Sequence, residues 1–256
     1  MPPEPRKVLL VGAGPGPADL LTVRALRAIE SAEALLYDAL VSDEVLALAP
    51  AACLTIRTGK RAGRTSMKQQ TINRLMLRVA RRGLRVVRLK GGDPSIFGRV
   101  GEESAFLHAH GIETEVVPGV TAACAAAAEF GLPLTHRGLA RRVAFTTARL
   151  EAGALQTDWR AAADRETTLA IYMGSGAAEA LADGLVAAGR HPATPVAVVE
   201  NAGGADARCE IGRLADLGAI AARCGAGPTL IVVGEAAALA RRTAYAESSS
   251  AVSRSV

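Results

Sequence analysis

KVLLVGAGPGPADLLTVRALRAIESAEALLYD, residues 7–38, decides the fold. KVLLV (7–11) is an apolar run of strand length, GAGPGP is a turn, and Asp19 to Ala32 is amphipathic at helical spacing. ALLY (34–37) is a second strand, ending at Asp38. A strand, a helix and a strand in that order make a βαβ unit, whose buried parallel strands read as continuous apolar runs.

The pattern extends outward. ACLTI (52–56) is a third strand. Ser66, with Gln69 three residues on, makes a capping-box start for a helix whose Ile72, Leu75, Met76 and Val79 share one face. RVVRL (85–89) leads into GGDP, a helix runs from about Gly98 to His110, and TEVVP (114–118) opens into Gly119 and an Ala-rich helix over 120–130. This alternation predicts a largely parallel, doubly wound sheet. After PLTHRG (133–138) it restarts with RVAFTT (142–147), TTLAIYMG (167–174), PVAVVE (195–200), RCEIG (208–212) and PTLIVVG (228–234), with helices at about 176–188 and 213–223. The expected fold class is α/β: two lobes with mainly parallel sheets and an inter-domain cleft. The domains are expected at 1–136 and 137–243, followed by a Ser-rich disordered tail at 244–256.

Composition narrows the function. No uncharged apolar run approaches the roughly 18–20 residues that span a bilayer, and the N-terminal apolar run leads straight into glycines; a cytoplasmic protein is expected, with no membrane partner. Cys53, Cys124, Cys209 and Cys224 are far apart and form no metal or redox motif, so free thiols and no metal are expected. The net charge is +5, and four lysines among 30 basic residues leave 26 arginines. Aromatics are only 3 % of the chain, too few for base-stacking platforms, so no nucleic-acid partner is expected. Arginine forks pair bidentately with carboxylates, so an acidic small molecule suits this composition.

Two loops carry the chemistry. GAGPGP (12–17) follows a strand and opens a helix, where backbone N–H groups and the helix dipole can face a ligand. A dinucleotide fold is one reading, with Asp38 as ribose anchor; Pro17, where a third glycine would fall, weighs against it. A turn without any ligand is another. GGDPSIFGRVGEE (91–103) is more specific. Two adjacent glycines expose backbone, Asp93 adds a carboxylate suited to a cationic ligand, and Arg99 and Glu102 are spaced to share a helix face. An i,i+3 surface ion pair is the plainer reading of those two.

VGAGPG (11–16), YDALVS (37–42), GKRAG (59–63), VVRLKGGDPSIFGR (86–99), VVPGVTAA (116–123) and PLTHR (133–137) occur in the order and spacing of the tetrapyrrole methylases, and the chain resembles that family. YMG (172–174), TPVAVVEN (194–201) and GPTLIVVGE (227–235) extend the resemblance over about 7–240, and the motifs look most like the uroporphyrinogen-III C-methyltransferase branch. The resemblance implies two α/β domains, a homodimer, and S-adenosyl-L-methionine bound in the inter-domain cleft and released as S-adenosyl-L-homocysteine. It implies methylation of uroporphyrinogen III at carbons 2 and 7 to precorrin-2, on the way to sirohaem or cobalamin. Carried over by motif, the cofactor contacts are Pro15, Gly91, Gly92, Asp93, Ile96, Thr121, Ala122, Met173 and Ala202. Asp38 and Lys60 are the acid/base candidates, and Arg99, Glu102 and Arg137 face the substrate.

The chemistry fits that assignment. A sulfonium methyl is already activated, so the enzyme aligns it and manages one proton. An octacarboxylate explains Arg57, Lys60, Arg61, Arg64, Arg99 and Arg137 on loops. The chain departs from the family at Ser95, where an aromatic is usual, at Val100, where Gly is usual, and at TTARL (146–150). These departures support a second expectation, methylation of a later corrin precursor. An NAD(P) or flavin oxidoreductase and a non-catalytic adenosylmethionine sensor are the readings from other classes. No dehydrogenase–ferrochelatase module is recognised, so the activity is expected to stop at methylation. His136 reads as a proton carrier or a backbone-bonded hinge residue, and Trp159 as a packing residue.

Overall fold

The computed structural model describes residues 7–59, 67–148, 150–151, 154–155 and 162–241. The chain divides into two compact units between Thr121 and Ala122, where the sequence reading places the join near 136. The helix Ala122–Glu129 accounts for the difference: its Ala123 and Ala126 pack with Ala170, Ala197 and Val232 of the second unit.

The first unit is built on β1 (Val8–Gly12), β2 (Ala34–Tyr37), β3 (Leu54–Arg57), β4 (Val86–Lys90) and β5 (Thr114–Val117), in the order β3-β2-β4-β1-β5. All four pairings are parallel, as expected. Alternate residues face opposite ways. Val8, Leu10, Leu36 and Val86 pack with Ile72 and Met76 of the helix α3 (Gln69–Ala80). Val11, Leu35, Val87 and Leu89 pack with Ala25 and Ile29 of α1 (Val23–Glu30) and Val45 of the short α2 (Asp43–Leu46) on the other face. The sheet is thus covered on both sides.

Two local expectations change. The stretch 19–32 is not one helix: a 3-10 turn, Ala18–Leu20, precedes α1, which starts where the Thr22 hydroxyl accepts the Ala25 N–H at 3.1 Å. Ser66, and with it the expected capping box, lies outside the described residues; the N-cap of α3 is Lys68, and the Gln69 amide donates to Asn73 and Glu103. Helix α4 (Val100–His108) follows Arg99, which is its N-cap and outside the helix.

The second unit holds β6 (Arg142–Thr147), the short pair β7 (Leu150–Glu151) and β8 (Ala154–Leu155), β9 (Thr167–Tyr172), β10 (Pro195–Glu200), β11 (Arg208–Arg213) and β12 (Thr229–Val233). The larger sheet runs β11-β10-β12-β9-β6. Only β6 and β9 pair in parallel; the other three pairings are antiparallel, so this sheet is mixed rather than mainly parallel. The reason lies in the connection 201–207, long enough for a hairpin but too short for a crossover. The expected helix over 213–223 is a 3-10 turn, Leu214–Asp216, followed by Leu217–Ala221. Arg190, 1 % exposed, ties the segment before β9 to the core by donating to the Ala162 and Thr167 carbonyls at 2.8 and 2.6 Å.

Candidate active site

At the carboxyl ends of β1, β4 and β5, three loops meet backbone to backbone. Gly14 and Gly92 exchange N–H···O=C bonds of 3.2 and 2.7 Å, and Ala13 N–H donates to the Lys90 carbonyl at 2.7 Å. A Cβ on Gly12 would lie 2.6 Å from the Gly119 nitrogen, and one on Gly119 would lie 2.3 Å from the Gly92 oxygen. Only glycine fits either position.

The two carboxylates at this end anchor neighbouring loops. Asp93 accepts from Ser95 N–H at 2.8 Å and from Gly119 N–H at 3.0 Å, one on each oxygen. Asp38 likewise accepts from Leu40 at 3.0 Å and from Gly91 at 3.1 Å. Each is therefore first a loop anchor, a role the sequence reading did not assign. A carboxylate has about four lone-pair sites, so each keeps acceptor capacity for a ligand. Ser42 adds a further tie: its hydroxyl donates to the Gly16 carbonyl at 2.6 Å and accepts from Val45 N–H.

These bonds alter the reading of GAGPGP. Its Ala13 and Gly14 N–H groups are spent on the carbonyls of Lys90 and Gly92, and the following helix is capped by its own Thr22. Those two donors are taken and Pro15 and Pro17 carry none, which weighs against a pyrophosphate cradle of the dinucleotide type.

Arg99 has φ 58° and ψ 23°, a left-handed conformation that costs a non-glycine residue roughly 1–2 kcal/mol. Its Nε and Nη2 donate to the two oxygens of Glu102 at 2.8 and 2.7 Å. The pair meets although Arg99 is not on the helix. Both side chains are about half exposed, so the pairing itself adds little and leaves the guanidinium able to change partners. The Arg99 guanidinium holds the Glu102 carboxyl below the ordinary range. Ile96 is half-buried, and Pro15, Gly91 and Gly92 are partly exposed around the same loops; Thr121 is buried. Lys60, Arg61 and Arg64 lie outside the described residues, as do Trp159 and the tail 244–256. Gly59 is described, and a Cβ there would fall 2.3 Å from the Ala39 nitrogen, so the loop after β3 lies against the one carrying Asp38.

In the second unit Met173, at the end of β9, is also left-handed (φ 57°) and 54 % exposed, so it is no core filler. Its neighbour Tyr172 accepts Ala123 N–H at 3.3 Å, holding the first turn of the helix Ala122–Glu129. Ala202 is buried in a loop whose Asn201 is left-handed (φ 53°) and bonded to Asp206, while Gly203 N–H donates to Glu129 at 2.9 Å. Thr135, His136, Arg137, Ala140 and Arg141 line an open hollow of about 460 Å³. His136 exchanges backbone bonds with Ala140, which makes this a tight turn presenting exposed Arg137 and Arg141. Among the described residues no group of three or more His, Cys, Asp or Glu is placed to hold a metal, and no helix is long and apolar enough to cross a membrane.

Residues 7–218 match the model of the Tetrapyrrole (Corrin/Porphyrin) Methylases. The chain belongs to this family. Among relatives of this tetrapyrrole methylase, Siroheme synthase 2 of Aeromonas hydrophila is 46 % identical over 242 residues, 94 % of this chain and 51 % of the relative. Siroheme synthase 1 of Yersinia pseudotuberculosis is 46 % identical over 254 residues, 98 % of this chain and 54 % of the relative. The chain thus spans about half the length of these curated relatives. Among solved structures, the Thermus thermophilus uroporphyrin-III C-methyl transferase complexed with S-adenyl homocysteine is 44 % identical, with a TM-score of 0.79 over 91 % of this chain and 99 % of that one. A cobalt precorrin-4 methyltransferase is 30 % identical, with a TM-score of 0.81 over 90 % and 95 %.

Several residues of this methylase escaped the sequence reading. Arg88, Lys90 and Glu103 form a buried ionic cluster beneath the GGDP loop. Tyr172 and Glu129 brace the second-unit loops through backbone N–H groups, and Arg141 joins Arg137 on the hollow. Of these only Arg141 carried a signal, as one more arginine beside PLTHR.

Proposed function

We propose that this tetrapyrrole methylase transfers methyl groups from S-adenosyl-L-methionine to carbons 2 and 7 of uroporphyrinogen III, giving precorrin-2 for the sirohaem or cobalamin branch. The observation that carries the reading is the glycine junction of Gly12, Gly92 and Gly119 pinned by Asp93, in a chain 44 % identical over 91 % of its length to a uroporphyrin-III C-methyl transferase solved with S-adenyl homocysteine.

The residues fit such a donor. Asp93 is held by two N–H groups yet keeps acceptor sites for a hydroxyl or amine, and the partly exposed Gly91 and Gly92 allow close approach to their backbone. Pro15, Ile96, Thr121 and Ala122, with Met173 and Ala202, are assigned to the same ligand. When bound, the donor supplies a sulfonium methyl; a ring carbon attacks it, the S–CH3 bond breaks with its electron pair to sulfur, and the thioether S-adenosyl-L-homocysteine leaves. The chain's own tasks are to hold the acceptor in line and to take the proton that methylation releases. Asp38 is the candidate for that proton, with Lys60 as the second acid/base group. Arg99 and Arg137, together with Arg141, offer forks to the substrate carboxylates, and Glu102 holds Arg99 until a carboxylate replaces it.

A cytoplasmic homodimer is part of the same reading. The TM-score of 0.81 to a cobalt precorrin-4 methyltransferase favours a second reading, in which the acceptor is a later corrin precursor. Anaerobic turnover on uroporphyrinogen III and on later precursors separates the two. Faster methylation of a later precursor would replace the acceptor named here.

A further inference from the structure

Glu103 has no part in the site assigned above, yet it is fully buried in the first turn of α4. Its carboxylate ties three elements together. Oε2 accepts from Lys90 Nζ at 2.9 Å, and Oε1 accepts from Arg88 Nε at 3.1 Å and from Gln69 Nε2 at 3.0 Å. Arg88 and Lys90 are alternate residues of β4 and so share one face of the sheet, while Gln69 opens α3. Glu103 is the carboxylate bonded to both cations, with Asp38 acting on Lys90 only through its charge, so removing Glu103 alone would leave both buried cations without an ion-pair partner. Burial and the neighbouring Arg88 push the Lys90 amine below its ordinary range, and Glu103 opposes them.

The cluster lies directly under the turn that presents Arg99. A Cβ on Gly98 would fall 2.4 Å from the Pro94 oxygen and 3.1 Å from Lys90 Cε, so the chain passes closely over the lysine stem. At the next residue the Arg99 carbonyl accepts from Glu102 N–H at 3.1 Å and from Glu103 N–H at 3.3 Å. A left-handed arginine persists only where its surroundings over-determine it. Of the two residues whose N–H groups hold that carbonyl, Glu102 is exposed, whereas Glu103 is fixed by its side chain to β4 and α3.

We propose that Glu103, clamped by Lys90 and Arg88, is a positioning residue that holds Arg99 in its left-handed conformation and so sets the direction in which the guanidinium meets a substrate carboxylate. This rests on the reading of Arg99 as a substrate-facing group.

The test is a mutant cycle read by equilibrium binding of uroporphyrin III, a stable tetrapyrrole octacarboxylate, followed by fluorescence. The variants are Glu103→Gln, Lys90→Met with Glu103→Gln, and each combined with Arg99→Ala. The double variant removes a cation together with the carboxylate, and an amide oxygen at position 103 can still accept from Arg88, so it is the variant expected to keep the fold if Glu103→Gln alone does not. Thermal melting and S-adenosylhomocysteine affinity report whether the unit is intact. The proposal expects the double variant to bind S-adenosylhomocysteine within about twofold of the original protein and uroporphyrin about tenfold more weakly. Adding Arg99→Ala to it should then cost almost nothing more, because the guanidinium is already misdirected. A purely structural Glu103 would weaken both ligands together, or leave the Arg99→Ala effect fully additive; either result overturns the proposal, as does unchanged uroporphyrin binding. Failure of methyl transfer is a separate outcome, read from turnover and not from this cycle.

Discussion

Asp93 and Gly119 are 26 residues apart in sequence, yet the Asp93 carboxylate accepts the Gly119 N–H at 3.0 Å. That bond ties the loop after β4 to the loop after β5, across the end of β1. The other oxygen holds Ser95, so one carboxylate fixes both the exit of the GGDP turn and the loop after β5. Asp93→Ala should therefore weaken S-adenosylhomocysteine binding by roughly tenfold to a hundredfold, the worth of one or two hydrogen bonds to a charged group. Asp93→Asn keeps one acceptor oxygen and should lose less. Calorimetry on both variants checks this; equal, unaltered affinity in both would remove Asp93 from the site.

The glycine contacts make an opposed pair of predictions. Gly119→Ala places a carbon 2.3 Å from a backbone oxygen that cannot step aside, and should destabilise the protein by about 3 kcal/mol or more. Gly101 lies in α4, where an added Cβ meets nothing within 4 Å, and Gly101→Ala should stabilise by up to about 1 kcal/mol. Urea unfolding of the two variants reads both signs. Similar midpoints for the two would contradict the packing described at the loop junction.

Arg137 stands on the turn that lines the hollow with Arg141. Arg137→Ala is expected to raise the KM for the tetrapyrrole about tenfold or more while leaving S-adenosylhomocysteine affinity nearly unchanged. The opposite split, with the donor product lost and KM preserved, would assign Arg137 to the cofactor instead.

The cysteines should separate by reactivity. Cys124 is exposed, whereas burial pushes the Cys209 thiol up to about 11, helped by the nearby Glu210. At about pH 8 the folded protein should alkylate at Cys124 and leave Cys209 protonated and unmodified, because only the thiolate reacts. Peptide mass mapping after brief iodoacetamide treatment reads this. Modification of Cys209 as fast as Cys124 would place it in a more open setting.

The first unit was legible because its strands are apolar runs bounded by glycine and charge: β2 spans Ala34–Tyr37, as ALLY reads. The mixed second sheet was missed although its signal was present. Seven residues separate Glu200 from Arg208, a hairpin distance, but a count of alternating strands and helices passes over connection length. Arg88 and Lys90 escaped for a different reason. They read as polar positions on a strand, and only the fold brings Glu103, 15 and 13 residues away, against them. The anchoring role of Asp38 and Asp93 was hidden in the same way, since their partners Gly91 and Gly119 belong to other loops.

The left-handed residues mark a further limit of sequence. Phe97, Arg99, Met173 and Asn201 all adopt positive φ without being glycine, a conformation no propensity favours for an arginine or a methionine. The resemblance to the methylases had singled out Arg99 and Met173 themselves, and Phe97 and Asn201 adjoin Ile96 and Ala202; strain of this kind gathers where surrounding contacts impose it.

The glycine junction and the arginine turns are proposed to serve methyl transfer to uroporphyrinogen III. The most direct measurement is the mass of the tetrapyrrole after anaerobic incubation with S-adenosylmethionine. Two added methyl groups, with two equivalents of S-adenosylhomocysteine released, are expected. Unmodified tetrapyrrole alongside intact S-adenosylmethionine would contradict it.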